Sequence, residues 1–220
     1  TFTNKAAREL TRRIATFLPR GDGKVLASTF HGFSLKFLKE MFGFNAGLMD
    51  DRLRLELIKN ALETVAQTGV TPENGMGESR FSGKKGVGQF DRMISVCKQQ
   101  LLGPADDLSS LAGKRGAGVL GQVYTAYQQQ CHELNLVDFE ELIFLFYLSL
   151  KTSPKALGQV QNRFAHIFID EYQDLNLGQY ELVKLLAQTS HLVVIGDPDQ
   201  SIYGFRGSDN TYFLRFAKDY

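Results

Sequence analysis

Two apolar stretches in the second half of the chain each end in acidic residues. Ile167–Ile169 runs into Asp170–Glu171, and Leu192–Ile195 runs into Gly196–Asp197, with a segment of helical character between them. This order predicts a β-α-β unit, in which two parallel strands bring their acidic ends to the same edge of a sheet. An apolar strand followed by Asp-Glu is typical of a nucleoside triphosphatase, in which one carboxylate holds Mg²⁺ and the next polarises the attacking water. Acidic residues also commonly begin helices, so the pair alone does not decide between these interpretations.

Four segments resemble motifs of one enzyme family. DEYQD at Asp170–Asp174 and GDPDQSIYGFRG at Gly196–Gly207 are similar to motifs II and III of the UvrD/Rep-type superfamily 1 DNA helicases. TFTNKAAREL at Thr1–Leu10 resembles motif Ia, and TFHGFSLKFL at Thr29–Leu38 resembles motif Ib. The four segments follow one another in the order that the family uses.

The sequence departs from the family's pattern at a few places. Gly32 stands where Ser is common in motif Ib, and Phe205 stands where Trp is frequent in motif III. The family's Walker A loop, GxxxxGK[ST], precedes motif Ia, and neither Gly21–Lys24 nor Gly113–Gly116 has its spacing. Motifs IV to VI are expected beyond Tyr220. We therefore expect the chain to be an internal part of a larger helicase, without the phosphate-binding loop.

The resemblance assigns nucleotide chemistry to the two strand ends. It implies that Asp170 holds Mg²⁺, usually through water, and that Glu171 is the general base for ATP hydrolysis. Gln173 would link the nucleotide state to motif III, and Gln200 would sense the γ-phosphate, although an ordinary turn glutamine remains the alternative there. Arg206 would contact either the acidic pocket, as a nucleotide-binding residue, or DNA.

The resemblance also implies a groove for single-stranded DNA. Its expected residues are Phe2, Thr29, Phe30, His31, Tyr203 and Phe205. Tyr203 and Phe205 would stack on bases, which suits a motor that moves along any sequence because every base has a π-face. Thr29 and His31 would reach phosphates, which position the strand without reading it. In an arbitrary protein, by contrast, an aromatic residue at a strand end most often belongs to the core.

Two basic clusters lie in glycine-rich stretches that we expect to be loops. One contains Arg80, Lys84 and Lys85, and the other contains Lys114 and Arg115. They are either solvated loop residues or contacts to the DNA backbone.

The first part of the chain is predicted to alternate strand and helix. Thr1–Phe17 reads as a strand end followed by a helix capped by Thr3 or Asn4, and Val25–Thr29 reads as a short strand before a helix over Phe30–Phe42.

The middle of the chain has helical periodicity without convincing strands. Helices are predicted over Asp50–Thr68, Gln89–Leu102, Val119–Asn135 and Asp138–Leu150, with loops over Gly69–Gly88 and Gly103–Gly118. We therefore expect an α/β fold with a P-loop NTPase-like (RecA-like) parallel sheet, incomplete at its N-terminus, and an all-helical insertion. By resemblance, residues 1–44 and 137–220 are two parts of helicase domain 1A, and residues 45–136 are the inserted 1B subdomain. The acidic residues of Asp138–Leu142, where the chain returns to domain 1A, are expected to be structural.

Composition sets limits without selecting a function. The 220 residues are 43% hydrophobic with a net charge of +1, so DNA binding must come from local patches rather than from bulk charge. Cys97 and Cys131 are far apart and have no metal-ligand spacing, which indicates core thiols in a reducing, cytoplasmic setting. We expect no signal peptide and no membrane span.

The resulting hypothesis is an ATP-dependent DNA helicase or translocase of 3′-to-5′ polarity, which acts on single-stranded DNA and on junctions of single- and double-stranded DNA. The chain alone is expected to be inactive. The alternatives are a non-catalytic module that binds single-stranded DNA or a partner protein, and the helicase part of a nuclease-helicase of the RecB/AddA kind. A phosphate loop upstream and motifs IV to VI downstream would favour the motor, whereas a nuclease domain would favour the last alternative.

Overall fold

The computed structural model describes residues 1, 3–17, 25–68, 84–200 and 211–220, without the side chains of Lys84 and Lys85. In chain order, the helices and strands are α1 (Asn4–Phe17), α2 (Phe30–Phe42), β1 (Gly47–Leu48), α3 (Asp51–Gln67), α4 (Lys84–Gln99), α5 (Ser109–Glu133), β2 (Leu136–Val137), α6 (Phe139–Thr152), α7 (Pro154–Gln161), β3 (His166–Ile169), α8 (Leu177–Leu186), β4 (His191–Val194), α9 (Thr211–Leu214) and α10 (Phe216–Asp219).

The described chain forms two compact units. Thr1–Phe44 and Leu145–Tyr220 form one, which we call the α/β unit, and Asn45–Phe144 forms the other, which we call the helical unit. Mixed helices and small parallel sheets confirm the α/β class.

The predicted β-α-β unit is confirmed within the α/β unit. Strands β3 and β4 are parallel, and their register pairs Ile169 with Val194. Helix α8 connects them and begins with a capping box, in which the Asn176 side chain accepts from the backbone of Gln179 while the Gln179 side chain accepts from the backbone of Asn176. Both strands therefore end at the same edge of the sheet, where the acidic residues follow.

Threonines cap the two helices at the start of the α/β unit, Thr3 for α1 and Thr29 for α2. The hydroxyl of Thr3 accepts from the backbone N–H of Ala6 at 3.1 Å, so Thr3 caps α1. Helix α2 ends at Gly43, whose φ of 63° is the left-handed conformation that glycine adopts without a steric cost.

The predicted strand over Val25–Thr29 was wrong, because these residues take no strand conformation in the structure. A strand needs a hydrogen-bonded neighbour, and local β propensity does not supply one.

Three helices build the core of the helical unit. Helices α3, α4 and α5 enclose the fully buried side chains of Ile58, Ile94, Leu120, Val123 and Tyr124. The predicted loop over Gly103–Gly118 is confirmed for Gly103–Leu108 but was wrong for Ser109–Gly118, because α5 begins at Ser109. Gly113, with φ 70° and ψ 162°, has a non-helical backbone and forms a kink that divides α5 into two helical parts. The last five residues of the predicted loop Gly69–Gly88 also belong to a helix, α4.

Strands β1 and β2 pair in parallel over only two residues each, and the sequence analysis did not predict them. Gly47 lies opposite Leu136, whose Cδ2 would be 3.0 Å from a Cβ at position 47.

Charged residues are buried in the helical unit. Lys98 is 2% exposed and forms ion pairs with Asp138 and with Glu141, the latter at 2.7 Å. Tyr127 donates to the same Asp138 at 2.7 Å. Arg54 makes a second set of pairs, with Asp91 and Glu140. The acidic residues at the start of α6 thus have the structural role that we expected.

None of the helices in the described ranges is both long and apolar enough to cross a membrane.

Candidate functional site

The acidic edge begins directly after β3. Asp170 and Glu171 follow the strand, and Tyr172–Asp174 forms a single 3-10 turn. Glu171 has φ 55° and ψ 43°, a left-handed conformation that is unfavourable for residues other than glycine. Backbone bonds fix the turn to the neighbouring strand end, because Tyr172 N donates to the carbonyl of Ile195 at 3.0 Å. The turn therefore has a defined position relative to both strands.

A single buried side chain joins the two acidic strand ends. Gln173 is 1% exposed. Its Nε2 donates to Oε2 of Glu171 at 2.8 Å, and its Oε1 accepts from the backbone N–H of Asp197 at 3.1 Å. Glu171 belongs to the predicted motif II and Asp197 to the predicted motif III. Gln173 therefore links the two strand ends through one hydrogen bond to each.

Gly196 makes this connection possible. A Cβ at position 196 would lie 2.3 Å from Oε1 of Gln173 and 3.1 Å from the backbone nitrogen of Tyr172. The glycine is thus required by the close approach of the two segments and not by an unusual backbone angle.

Gln200 lies at the same edge of the sheet. It ends the 3-10 turn Pro198–Gln200, is exposed, and donates from Nε2 to Oδ2 of Asp197 at 2.7 Å. Asp197 also accepts from the backbone N–H of Asp199 at 3.0 Å through its other oxygen. The structure thus brings Gln200 and Asp197 together, and Gln173 connects them to Glu171.

Four predicted site residues lie outside the described residues, and their roles stay predictions. They are Phe2, Tyr203, Phe205 and Arg206.

Of the predicted motif Ib residues, Thr29 is buried, while Phe30 and His31 are partly exposed. Thr29 is 7% exposed, and its hydroxyl oxygen accepts from the backbone N–H of Gly32 at 3.1 Å, which caps α2. Phe30 packs at the edge of the apolar cluster around Ile169. Burial lowers the pKa of His31 to about 4, so at neutral pH its imidazole has no charge to offer a phosphate. Contacts of these residues with DNA stay predictions, and a contact from His31 would be an uncharged hydrogen bond.

The basic residues that we expected in loops lie partly in helices. Lys114 and Arg115 belong to α5, immediately after the kink at Gly113. Lys84 and Lys85 begin α4, and Arg80 lies outside the described residues.

Sequence reasoning missed an aromatic group around the acidic turn. Tyr172 and Tyr180 contact side chains of α9 and α10, which follow motif III. The signal for this contact was present as the aromatic residues Tyr212, Phe213 and Phe216, which recur at helical spacing.

The oxygen donors at this edge suit magnesium. Mg²⁺ is commonly held by one or two carboxylates together with water and substrate phosphates, and Asp170 and Glu171 supply carboxylates at the strand end. Within the described ranges, no three His, Cys, Asp or Glu side chains are grouped to form a metal site made by the protein alone. Asp170 and Glu171 thus supply the one or two carboxylates by which Mg²⁺ is commonly held.

The order of the motifs and the connected acidic edge indicate a helicase domain. The chain belongs to the UvrD/REP helicase N-terminal domain family, which matches residues 1–220. This confirms the resemblance that the four motifs indicated.

Several ATP-dependent DNA helicases named PcrA are similar to the chain. It is 35% identical over 227 residues to PcrA of Leuconostoc citreum and covers 28% of that protein. It is 35% identical over 226 residues to PcrA of Bacillus subtilis and 36% identical over 221 residues to PcrA of Staphylococcus aureus, and it covers 29% of each. All of this chain is matched in each case, so the chain spans less than a third of the length of these relatives.

Proposed function

We propose that this chain is part of the motor of an ATP-dependent DNA helicase or translocase. It would contribute most of a RecA-like domain 1A, with residues 45–136, which lie within the helical unit, as the inserted 1B subdomain. Family membership and the acidic edge of the β-α-β unit support this assignment. The family resemblance adds 3′-to-5′ movement on single-stranded DNA and action at junctions with duplex DNA.

Each residue of the acidic edge has a proposed role. Bound MgATP would supply the phosphoryl group that is transferred to water, with the metal neutralising part of its charge. Asp170 would hold the metal, usually through water, and Glu171 would accept the proton of the attacking water. The bond from Gln173 orients the Glu171 carboxylate. Gln200, which is exposed beside Asp197, would contact the γ-phosphate, and Arg206 would add positive charge to the nucleotide site.

The observation that carries the proposal is the Gln173 bridge. The same side chain hydrogen-bonds the proposed general base and the start of the segment that contains Tyr203 and Phe205, the proposed stacking residues. A motor must couple ATP hydrolysis to DNA binding, and the bridge between Glu171 and Asp197 supports the proposal that it couples the two. Phe2, Thr29, Phe30 and His31 complete the proposed DNA path.

We also propose a cytoplasmic location. Cys97 and Cys131 are both buried free thiols, and burial raises the pKa of each to about 11. Unpaired thiols of this kind suit a reducing compartment.

Two substitutions in the full-length protein test the site. Glu171→Gln should retain MgATP binding but lower ATP turnover by roughly a hundredfold or more, as expected when a general base is lost. Asp170→Ala should also weaken Mg²⁺-dependent nucleotide binding. Glu63→Gln, on the exposed side of α3, is the matched control and should change neither property. Near-normal turnover in Glu171→Gln would exclude Glu171 as the base.

The 220-residue chain should hydrolyse no ATP above background, because it has no phosphate loop and the carboxylates cannot replace that loop's charge. A DNA-stimulated ATPase that copurifies with the chain and is lost in Glu171→Gln would contradict this. A full-length protein that binds single-stranded DNA without hydrolysing ATP would instead be a non-catalytic module. DNA cleavage by the full-length protein would indicate the nuclease-helicase alternative.

A further inference from the structure

Helices α9 and α10 are held against α8 by Tyr180. The ring of Tyr180 stacks on that of Tyr212, with centroids 4.3 Å apart and planes 14° from parallel. The Tyr180 hydroxyl also donates to the carboxylate of Asp219 in α10. Arg215 donates to the other oxygen of Asp219 at 3.2 Å, so this carboxylate has a partner on each side.

The same two helices contact the acidic turn itself. Tyr172, which is fully buried, lies 5.8 Å from Phe216 and 6.3 Å from Phe213, measured between ring centroids. Phe213 also approaches Gly196, since a Cβ at that glycine would lie 3.2 Å from its ring. Both the turn and the end of β4 are therefore in contact with the residues that follow position 210.

These contacts attach the chain to the acidic turn at two places. Before position 201, the backbone N–H of Asp197 is bonded to Gln173. After position 210, Phe213 and Phe216 pack against Tyr172, the residue that precedes Gln173. The acidic turn therefore contacts the described chain both before position 201 and after position 210.

We propose that Tyr180 and Asp219 are positioning residues, which fix α9 and α10 to the acidic turn so that ATP hydrolysis and DNA binding are coupled through both attachments. This inference rests on the proposed function. The hydrogen bond between Tyr180 and Asp219 is the part of this attachment that substitutions can remove while the aromatic ring contacts are kept. The bond from Tyr180, together with Arg215, keeps the pKa of Asp219 below its usual value and the carboxylate charged.

Three substitutions isolate this hydrogen bond. Tyr180→Phe removes the hydroxyl and keeps the ring that stacks on Tyr212. Asp219→Ala removes the acceptor, and Arg215→Ala shows what the exposed ion pair alone contributes. Tyr147→Phe is the matched control, because it also removes a tyrosine hydroxyl. Tyr147 lies in α6, and its ring contacts Lys151 and not the acidic turn.

Hydrogen exchange in the 220-residue chain tests the attachment directly. The amides of residues 212–220 should exchange several-fold faster in Tyr180→Phe and in Asp219→Ala, with no comparable change in Tyr147→Phe or Arg215→Ala. The double variant Tyr180→Phe/Asp219→Ala should be no faster than the more affected single variant, because both changes remove the same bond. Unchanged exchange in both single variants would overturn the inference.

ATPase assays of the full-length protein test the coupling. The DNA-free rate should stay within about twofold of wild type in both variants, while the stimulation by single-stranded DNA should fall several-fold. An equal loss of DNA-free and DNA-stimulated rates, or full stimulation in both variants, would overturn the inference and leave the proposed function intact. A wild-type protein without DNA-stimulated ATPase would overturn the proposed function and this inference with it.

Discussion

Gly196 and Gln173 lie so close together that position 196 has no room for a methyl group beside the Gln173 amide oxygen, which would be 2.3 Å away. Gly196→Ala should therefore displace Gln173, break its bonds to Glu171 and Asp197, and destabilise the chain by about 1–3 kcal/mol. Chemical denaturation of the 220-residue chain measures this loss.

Two further variants check the cause. Gln173→Ala removes the atom that the new methyl group would meet, so the double variant should lose less stability than the sum of the two single variants. Gly158→Ala is the control, because a Cβ there meets nothing within 4 Å and helix α7 should gain about 0.5–1 kcal/mol. Additive losses at positions 173 and 196 would show that the contact between them does not matter.

The buried cation Lys98 predicts a large effect of charge removal. Lys98→Met leaves Asp138 and Glu141 buried without their cation, which should destabilise the helical unit by about 3–5 kcal/mol. Lys59→Met removes an exposed lysine paired with Glu63 at 3.5 Å, and it should cost less than about 1 kcal/mol. Comparable losses in the two variants would contradict the buried pairing.

The same cluster predicts how stability depends on pH. Burial acts to raise the pKa of Asp138, but Lys98, Arg54 and hydrogen bonds outweigh it, so the folded pKa lies below the ordinary value. Burial acts to lower the pKa of Lys98, but Glu141 and Asp138 outweigh it, so this pKa is raised. The contribution of Asp138 is thus present above pH of about 4 and is lost in stronger acid, and that of Lys98 is lost above a pH of about 10.4. Lys98→Met should show a smaller alkaline loss than wild type in denaturation across this range, but not none, because burial also raises the pKa of Tyr124 and of Tyr127.

His31 predicts a second pH effect with a different range. Its pKa of about 4 in the folded chain is below the value of about 6.5 for an unfolded histidine, so the unfolded state binds more protons between these values. The free energy of unfolding should rise with pH over this interval by up to about 3 kcal/mol, and His31→Gln should flatten the rise. His132→Gln, at an exposed position of α5, should leave the wild-type profile, and a profile unchanged in His31→Gln would exclude a buried neutral imidazole.

We predict that the ring of Phe205 stacks on a base of single-stranded DNA, and two measurements test this. Phe205→Ala in the full-length protein should weaken binding of single-stranded DNA by about 1–3 kcal/mol, while Phe205→Trp should retain it. The slope of log affinity against log salt should not change in Phe205→Ala, but it should become shallower when Lys84 and Lys85 are neutralised if they touch phosphates. Labelled oligonucleotides across a salt series provide the measurement.

The absence of tryptophan provides an independent signal for the same ring. Phe205→Trp introduces the only tryptophan of the 220-residue chain, so its fluorescence reports on position 205 alone. We expect added single-stranded DNA to change that fluorescence if a base stacks on the ring. Unchanged affinity in a folded Phe205→Ala protein would instead assign Phe205 to the core.

The sequence predicted the parts of the fold whose signals are local. The runs before Asp170 and Gly196 are apolar, short and followed by polar residues, and these features specify β3 and β4. The Val25–Thr29 prediction failed because a strand depends on a neighbour that sequence periodicity does not reveal. The Gly103–Gly118 prediction failed over Ser109–Gly118 because glycine content does not exclude a helix, and α5 contains Gly113 at a kink between two helical parts.

The candidate site was predictable as a set of residues but not as a network. The motif spacing predicted that Glu171 and Gln200 lie at the same edge of the sheet, because both follow strands that run parallel. The hydrogen bonds of Gln173 and the close approach of Gly196 depend on atomic positions fixed to within a few tenths of an ångström. No residue pattern specifies positions this closely. Tyr180 and Asp219 are 39 positions apart, and their pairing follows only from the packing of α10 beside α8.

The left-handed backbone conformation of Glu171 lowers the stability of the folded chain, although the proposed catalytic role requires a glutamate at this position. A residue with a Cβ pays about 1–2 kcal/mol for that conformation, and glycine or asparagine would relieve most of it. Selection for heat resistance alone would therefore tend to replace the very side chain proposed as the general base, a conflict of the kind that separates stability from activity in other enzymes. Libraries built to stabilise this domain should keep position 171 fixed and draw their gains from sites such as Gly158.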